Sequence, residues 1–327
     1  MDGGLGTMIQ SYNLSEDEYR GKRFANFDFL QRGNYDMLSL TQSEIVQNIH
    51  EQYLEAGADI IKTNTFNAQR VSMSKYGMEN RVYELNMAAA QLAVRAAQKY
   101  ATIQKPRFVA GSIGPTHRMV SILPEKKIFQ NIDKDTLKSA YIEQICGLMD
   151  GGCDILLVET VFDVQNANAC LSAMDEVFKH KNRTLPVMIS ANIDDSGRLL
   201  SGQTLEDFLM AVSHFPLLSV GINCFTDIEQ MIPHVKLLSE KAPFYISIHP
   251  NAGSPNSCGE YQETAEKMVE SLKKYIELKF VNIVGGCCGT TPEHIHQIAS
   301  LVGYYIPRKM KNDELYNFSV APQNNLQ

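Results

Sequence analysis

Short, continuously apolar runs recur along this chain, and each is followed by a stretch with helical periodicity. The runs begin at Ile60-Ile61 and continue with Phe108 to Ser112, Ile155 to Val158, Val187 to Ser190, Leu217 to Ile222, Phe244 to Ile248 and Ile283-Val284. Between them apolar residues return at i+3 and i+4, as in Ile45, Ile49, Tyr53 and Ala56, or in Ala265, Met268, Val269, Leu272 and Ile276. Strands that are apolar on both faces and alternate with helices form a parallel sheet covered on both sides. Seven visible strands, with a first one presumed before Asp2, predict an eight-stranded parallel βα (TIM) barrel; a doubly wound open sheet is the alternative. No phosphate-binding glycine fingerprint opens a helix after the first strand. The chemically unusual residues fall at the C-terminal ends of the runs, where a barrel carries its active face. Both points favour the barrel.

The chain in order fills in this frame. Residues 11–40 are polar with scattered aromatics and read as a long ordered loop. Thr41-Gln42-Ser43-Glu44 reads as a capping box for the first long helix, and Ile60 to Phe66 as one strand. Thr291 and Pro292 read as the N-cap and first position of the last helix. The barrel is expected over residues 1–303, and 304–327, where the pattern is lost, as a tail or linker.

Charge and cysteine usage narrow the function classes. Thirty Lys and Arg against 37 Asp and Glu leave a net charge of −7 with no basic stripe, which argues against nucleic acid as partner. Seven cysteines, an odd number without small-scaffold spacing, fit reduced thiols better than a disulfide framework. No apolar run reaches membrane-spanning length, and Met1-Asp2-Gly3-Gly4 shows no signal-peptide pattern. The expected setting is the cytoplasm.

Gly285-Gly286-Cys287-Cys288-Gly289 sits at a strand-to-helix turn. Neighbouring side chains on a regular strand point to opposite faces, so both sulfurs can face one point only if the backbone bends, as glycine permits. Converging thiolates suggest a soft metal, zinc first. Two adjacent cysteines can also simply be packed in a core. A third donor, Cys224 in Gly221-Ile222-Asn223-Cys224, ends another apolar run. Three protein ligands with one open position is the catalytic zinc pattern. Three thiolates make zinc a poor activator of water but suit a substrate thiol, held as thiolate at neutral pH.

Asp2-Gly3-Gly4-Leu5-Gly6-Thr7, Thr63-Asn64-Thr65-Phe66, Gly111-Ser112-Ile113-Gly114-Pro115 and the two cysteine motifs resemble the homocysteine S-methyltransferase family over about residues 2–303. Within it the chain is similar to the homocysteine-binding module of cobalamin-dependent methionine synthases, also along Tyr12 to Arg32 and Leu40 to Tyr76. The resemblance implies zinc on Cys224, Cys287 and Cys288. It implies a homocysteine amino group held by Asp2 and Glu159 at a site that includes Gly3. Asn251 is expected either to offer its side-chain oxygen to the metal or to shape the turn after Pro250. His249 is expected as a hydrogen-bonded wall residue, and Cys146, Cys153 and Cys170 as core; Cys258 has no expected role. The family has an apolar strand before the Asp-Gly motif, so here the first strand is missing or truncated, which predicts two bare strand edges. The implied reaction methylates homocysteine to methionine from methylcobalamin, with methyltetrahydrofolate as ultimate donor. Cobalamin-binding and methyltetrahydrofolate-binding modules are then expected elsewhere, in cis or in trans. The rivals are a homocysteine methyltransferase using S-methylmethionine or betaine, and a non-catalytic zinc- or thiol-binding module.

Overall fold

The computed structural model describes residues 1–121 and 130–310. Seven strands form one sheet: β1 (Ile60–Lys62), β2 (Phe108–Ile113), β3 (Ile155–Val161), β4 (Val187–Ala191), β5 (Ser219–Asn223), β6 (Tyr245–His249) and β7 (Ile283–Val284). They lie side by side in chain order, and every pair is parallel, with Leu157 opposite Met188 and Ile222 opposite Ile248. Among the described residues nine helices have seven or more residues: α1 (Leu5–Ser11), α2 (Ser43–Glu55), α3 (Val82–Tyr100), α4 (Lys134–Asp150), α5 (Val164–Lys181), α6 (Leu205–Val212), α7 (Ile232–Lys241), α8 (Ala265–Glu277) and α9 (Pro292–Val302). This is the parallel α/β architecture expected of a TIM barrel whose first strand is truncated.

The pleat sorts the side chains. Ile61, Val109, Leu156, Val220 and Ile246 join the helices' Ile49, Tyr53, Leu92 and Leu148 in the main core. Ala110, Leu157 and Met188 share a separate interior cluster with Met1. At the C-terminal rim the inward positions turn polar: Lys62, Ser112, Glu159, Ser190, Asn223 and His249, all buried.

The two strand edges are not bare at this rim. The Asp2 N–H donates to Ile60 O (2.9 Å), and the Gly286 N–H donates to Asp2 O (2.9 Å). The Lys62 N–H donates to Asp2 Oδ2 at 2.7 Å. The Met1 nitrogen donates to Val284 O at 2.6 Å. Two residues therefore bridge β1 and β7 where a full strand would lie, partly with a side chain in place of a ladder carbonyl.

Some local expectations need correcting. β1 stops at Lys62 rather than Phe66, because the Thr63 and Thr65 hydroxyls bond each other at 2.6 Å and Thr65 Oγ1 donates to Ser112 O at 2.7 Å. Residues 11–40 contain a helix over Glu16–Arg20, opened by a Ser15–Glu18 capping box. No capping box forms at Thr41, which ends a short helix of its own, Leu38–Thr41; Gln42 takes the N-cap position of α2 without a side-chain capping bond. Of the expected tail, 311–327 lie outside the described residues. Residues 304–310 return to the barrel, where the Arg308 N–H donates to Val281 O at 3.2 Å. The buried Arg308 guanidinium donates to Ser239 O (2.9 Å), Ala242 O (3.1 Å) and Phe244 O (3.1 Å), at the end of α7. Among the described residues no helix is long and apolar enough to cross a membrane.

Candidate metal and substrate site

Cys224 follows β5 directly, with φ +60, a left-handed conformation uncommon outside glycine. Its N–H donates to His249 O at 2.9 Å, and its carbonyl accepts from Asn192 Nδ2 at 3.0 Å. Thr160, after Glu159, is also left-handed at φ +60, and Asn223 ties the two strand ends together. Asn223 Oδ1 accepts from the Thr160 N–H (2.8 Å) and from Ser190 Oγ (2.8 Å), and Nδ2 donates to Thr160 Oγ1 (2.8 Å). Strain of this kind persists only where surrounding bonds hold it. Here the two turns flank the rim that carries Glu159 and Cys224.

Cys287 and Cys288 sit on the turn between β7 and α9. The Cys287 N–H donates to Pro250 O (2.8 Å), its carbonyl accepts from Thr290 Oγ1 (2.6 Å), and Cys288 O accepts from the Ala252 N–H (2.9 Å). Gly286 has no room for a side chain, since a Cβ would meet Thr290 Oγ1 at 2.3 Å. Gly289, at φ +78, gives up to Tyr261 the space its own side chain would fill. The bent backbone brings the sulfurs together: Cys224–Cys288 3.9 Å and Cys287–Cys288 4.0 Å. All three lie within 4.8 Å of one another, the one such group among the described residues.

The donor set fits zinc. Sulfurs at about 2.3 Å around a tetrahedral ion stand roughly 3.8 Å apart, close to the spacing found here. The thiols also share protons unequally. Hydrogen bonds from Cys224 and Cys287 hold Cys288 far below the usual thiol range, with Tyr261 and Lys62 adding to the effect. Cys287 is pushed well above that range, chiefly by its hydrogen bonds to Cys224 and Cys288. The cluster thus gives up one proton readily and the others only to a competing cation.

Asn251 Oδ1 accepts from the Cys288 N–H at 3.1 Å, and its side chain acts to lower the pKa of the Cys224 thiol. Of its two expected roles, shaping the turn is the one this bond describes. His249 lines the wall, against Gly285, but the expected hydrogen bond is not there: neither ring nitrogen has a partner among the described residues. Burial, aided by Lys62 and the Met1 amine, pushes its pKa well below the usual value. Cys153 and Cys170 are buried, Cys146 is half-buried and Cys258 is exposed, all as free thiols.

Glu159 Oε1 accepts from Ser112 Oγ at 2.5 Å. Asp2 is fully buried, and Gly3 packs against Thr290 and Tyr53 without space for a Cβ. The residue not anticipated is Lys62. Its ammonium lies 3.5 Å from Asp2 Oδ1. Burial opposes its charge, but Asp2, Glu159 and Cys287 outweigh that and raise its pKa above the ordinary lysine value. The signal was present in the sequence, as a lone charge at the end of the apolar run Ile60-Ile61.

The family model described as homocysteine S-methyltransferase matches residues 1–302. Among solved structures, the homocysteine methyltransferase MmuM from Escherichia coli shares the fold. Its metallated form aligns at a TM-score of 0.71 with 19% identity, covering 92% of this chain and 94% of that one. Its oxidised form aligns at 0.70 with 20% identity, covering 91% and 94%.

Proposed function

The chain belongs to the homocysteine S-methyltransferase family and is a methyltransferase; from that premise we propose that it methylates the homocysteine sulfur at a zinc held by Cys224, Cys287 and Cys288. The observation that carries this reading is the meeting of three sulfurs, from two separate strand ends, at tetrahedral spacing. Bound there, zinc would keep the substrate's sulfur as thiolate at neutral pH, the form that attacks a methyl carbon. The chain's own residues orient the rest of the substrate. Glu159 and Asp2 are buried carboxylates on the same rim, and an ammonium in such a place needs acceptors of this kind. Asn251 and Thr290 fix the backbone that aims Cys287 and Cys288. In the reaction a sulfur–carbon bond forms as the methyl–donor bond breaks, and the thiol proton leaves to water.

For the methyl donor we propose methylcobalamin, carried on a cobalamin-binding module in another domain or chain and recharged from methyltetrahydrofolate. The likeness along Tyr12 to Arg32 and Leu40 to Tyr76 supports this branch. Three thiols must stay reduced to hold a metal, which supports a reducing compartment such as the cytoplasm.

The test supplies homocysteine and one donor at a time to the zinc-loaded protein and measures methionine. Methylcobalamin should give methionine, and Cys288→Ser should give none. Turnover with S-methylmethionine or betaine, and none with methylcobalamin, would change the donor. X-ray absorption that finds no homocysteine sulfur entering the zinc shell would make the module non-catalytic.

A further inference from the structure

Lys62 is the one lysine or arginine in the seven strands of the sheet. It points into the barrel at the rim, nine-tenths buried. An ammonium has three protons to donate, and one with charged partners holds them at roughly 2.7–2.9 Å. Lys62 does neither. Its two contacts are long, Gly286 O at 3.4 Å and Asp2 Oδ1 at 3.5 Å. On the other side of the pair, Asp2 Oδ1 accepts no hydrogen bond from any described residue, while Oδ2 is taken by the Lys62 N–H. The pair therefore presents an open donor beside an open acceptor. His249 faces the same chamber with both ring nitrogens unbonded among the described residues. An α-amino acid zwitterion offers the complement: an ammonium for Asp2 and Glu159, and a carboxylate for Lys62. Gly286, which Lys62 touches, directly precedes Cys287, so a short thiol-bearing chain can reach from the sulfurs to this ammonium.

We propose that Lys62 reads the substrate's carboxylate, so that the site selects thiol amino acids over thiols that carry an amine alone. This rests on the reading of the site as one that binds homocysteine. A purely structural Lys62, serving only as counter-ion to Asp2, would affect every thiol alike.

Titration calorimetry on the zinc-loaded protein compares homocysteine with 3-aminopropane-1-thiol, which has the same thiol and amine but no carboxylate. The wild type should prefer homocysteine by roughly 10- to 100-fold, the range for one hydrogen-bonded charge. Lys62→Met should remove most of that preference by weakening homocysteine alone, and Lys62→Arg should restore part of it. Lys62→Met takes from buried Asp2 its strongest cation; if it does not fold, the double variant Asp2→Asn with Lys62→Met carries the test, because the measured quantity is a ratio. A folded, zinc-loaded Lys62→Met protein that keeps the full preference overturns the proposal. A wild type that binds neither thiol at the metal overturns instead the reading on which it rests.

Discussion

At the scale of single residues, the centre is built from side chains whose chemistry shows in the sequence and aimed by others whose role does not. A cysteine, a buried aspartate or a glutamate at a strand end announces itself by type. Asn223 does not: its value lies in joining Thr160 to Ser190, 63 and 33 residues away in the chain. Lys62 is similar, since a lysine at the end of a strand gains meaning only when Asp2 closes over it. His50 is a third case. It sits fully buried on α2 with no partner for either ring nitrogen among the described residues. Burial lowers its pKa to about 4. In the unfolded chain it titrates at its ordinary value near 6.5. Between those values the unfolded state binds the proton and the folded state does not, so acid favours unfolding. We expect His50 to withdraw on the order of 3 kcal/mol as the pH falls from 7 to 4. His50→Leu should flatten that dependence, measured as the urea midpoint at both pH values; an unchanged slope would mean His50 finds a proton acceptor.

At the scale of elements, position and type were legible and boundaries less so. The strands and the helices between them follow from apolar periodicity, because a sheet buried on both faces leaves that imprint. β1 is shorter than its apolar run because hydroxyl bonds at Thr63 and Thr65 compete with the ladder. The helix over Glu16–Arg20 lay unread behind its own capping box. The return of residues 304–310 was not legible at all, since no periodicity marks a segment held chiefly through one residue, Arg308. Arg308 spends its guanidinium on the last carbonyls of α7 and on Phe244 O, groups a helix end leaves without internal partners. Arg308→Ala should cost about 1–3 kcal/mol. It should speed amide exchange in the last turn of α7, near Leu238 and Lys241, while zinc per chain stays the same. Lost zinc would show that this end of the barrel is coupled to the other.

At the scale of the whole molecule, the barrel was readable from the count of strands and the place of the unusual residues. The seam was not, because nothing in the residue types of Met1 and Asp2 tells that they bridge β1 to β7. Met1 and Asp2 fill four hydrogen-bonding positions between β1 and β7, and Gly4 follows against the cysteine turn. A Cβ on Gly4 would lie 2.6 Å from Cys287 O and 2.8 Å from Thr7 Oγ1. Gly4→Ala should therefore destabilise the fold by about 1–3 kcal/mol, the usual cost of overpacking. It should also speed zinc loss to a chelator, because the atom it crowds is the Cys287 carbonyl that Thr290 holds. A destabilised Gly4→Ala protein that loses zinc no faster than the wild type would separate the seam from the cysteine turn.

The bonds that shut the ring and those that shape the mouth run through the same few residues. A ligand seated between the cysteines and Asp2 binds the closed ring and not one that has come apart at the seam, so occupancy holds the ring closed by mass action. At a hundred times its dissociation constant such a ligand adds about 2.7 kcal/mol. Under the function proposed above, resistance to proteolysis should therefore rise with the supply of metal and substrate: a starved molecule is cut first, and a working one is spared.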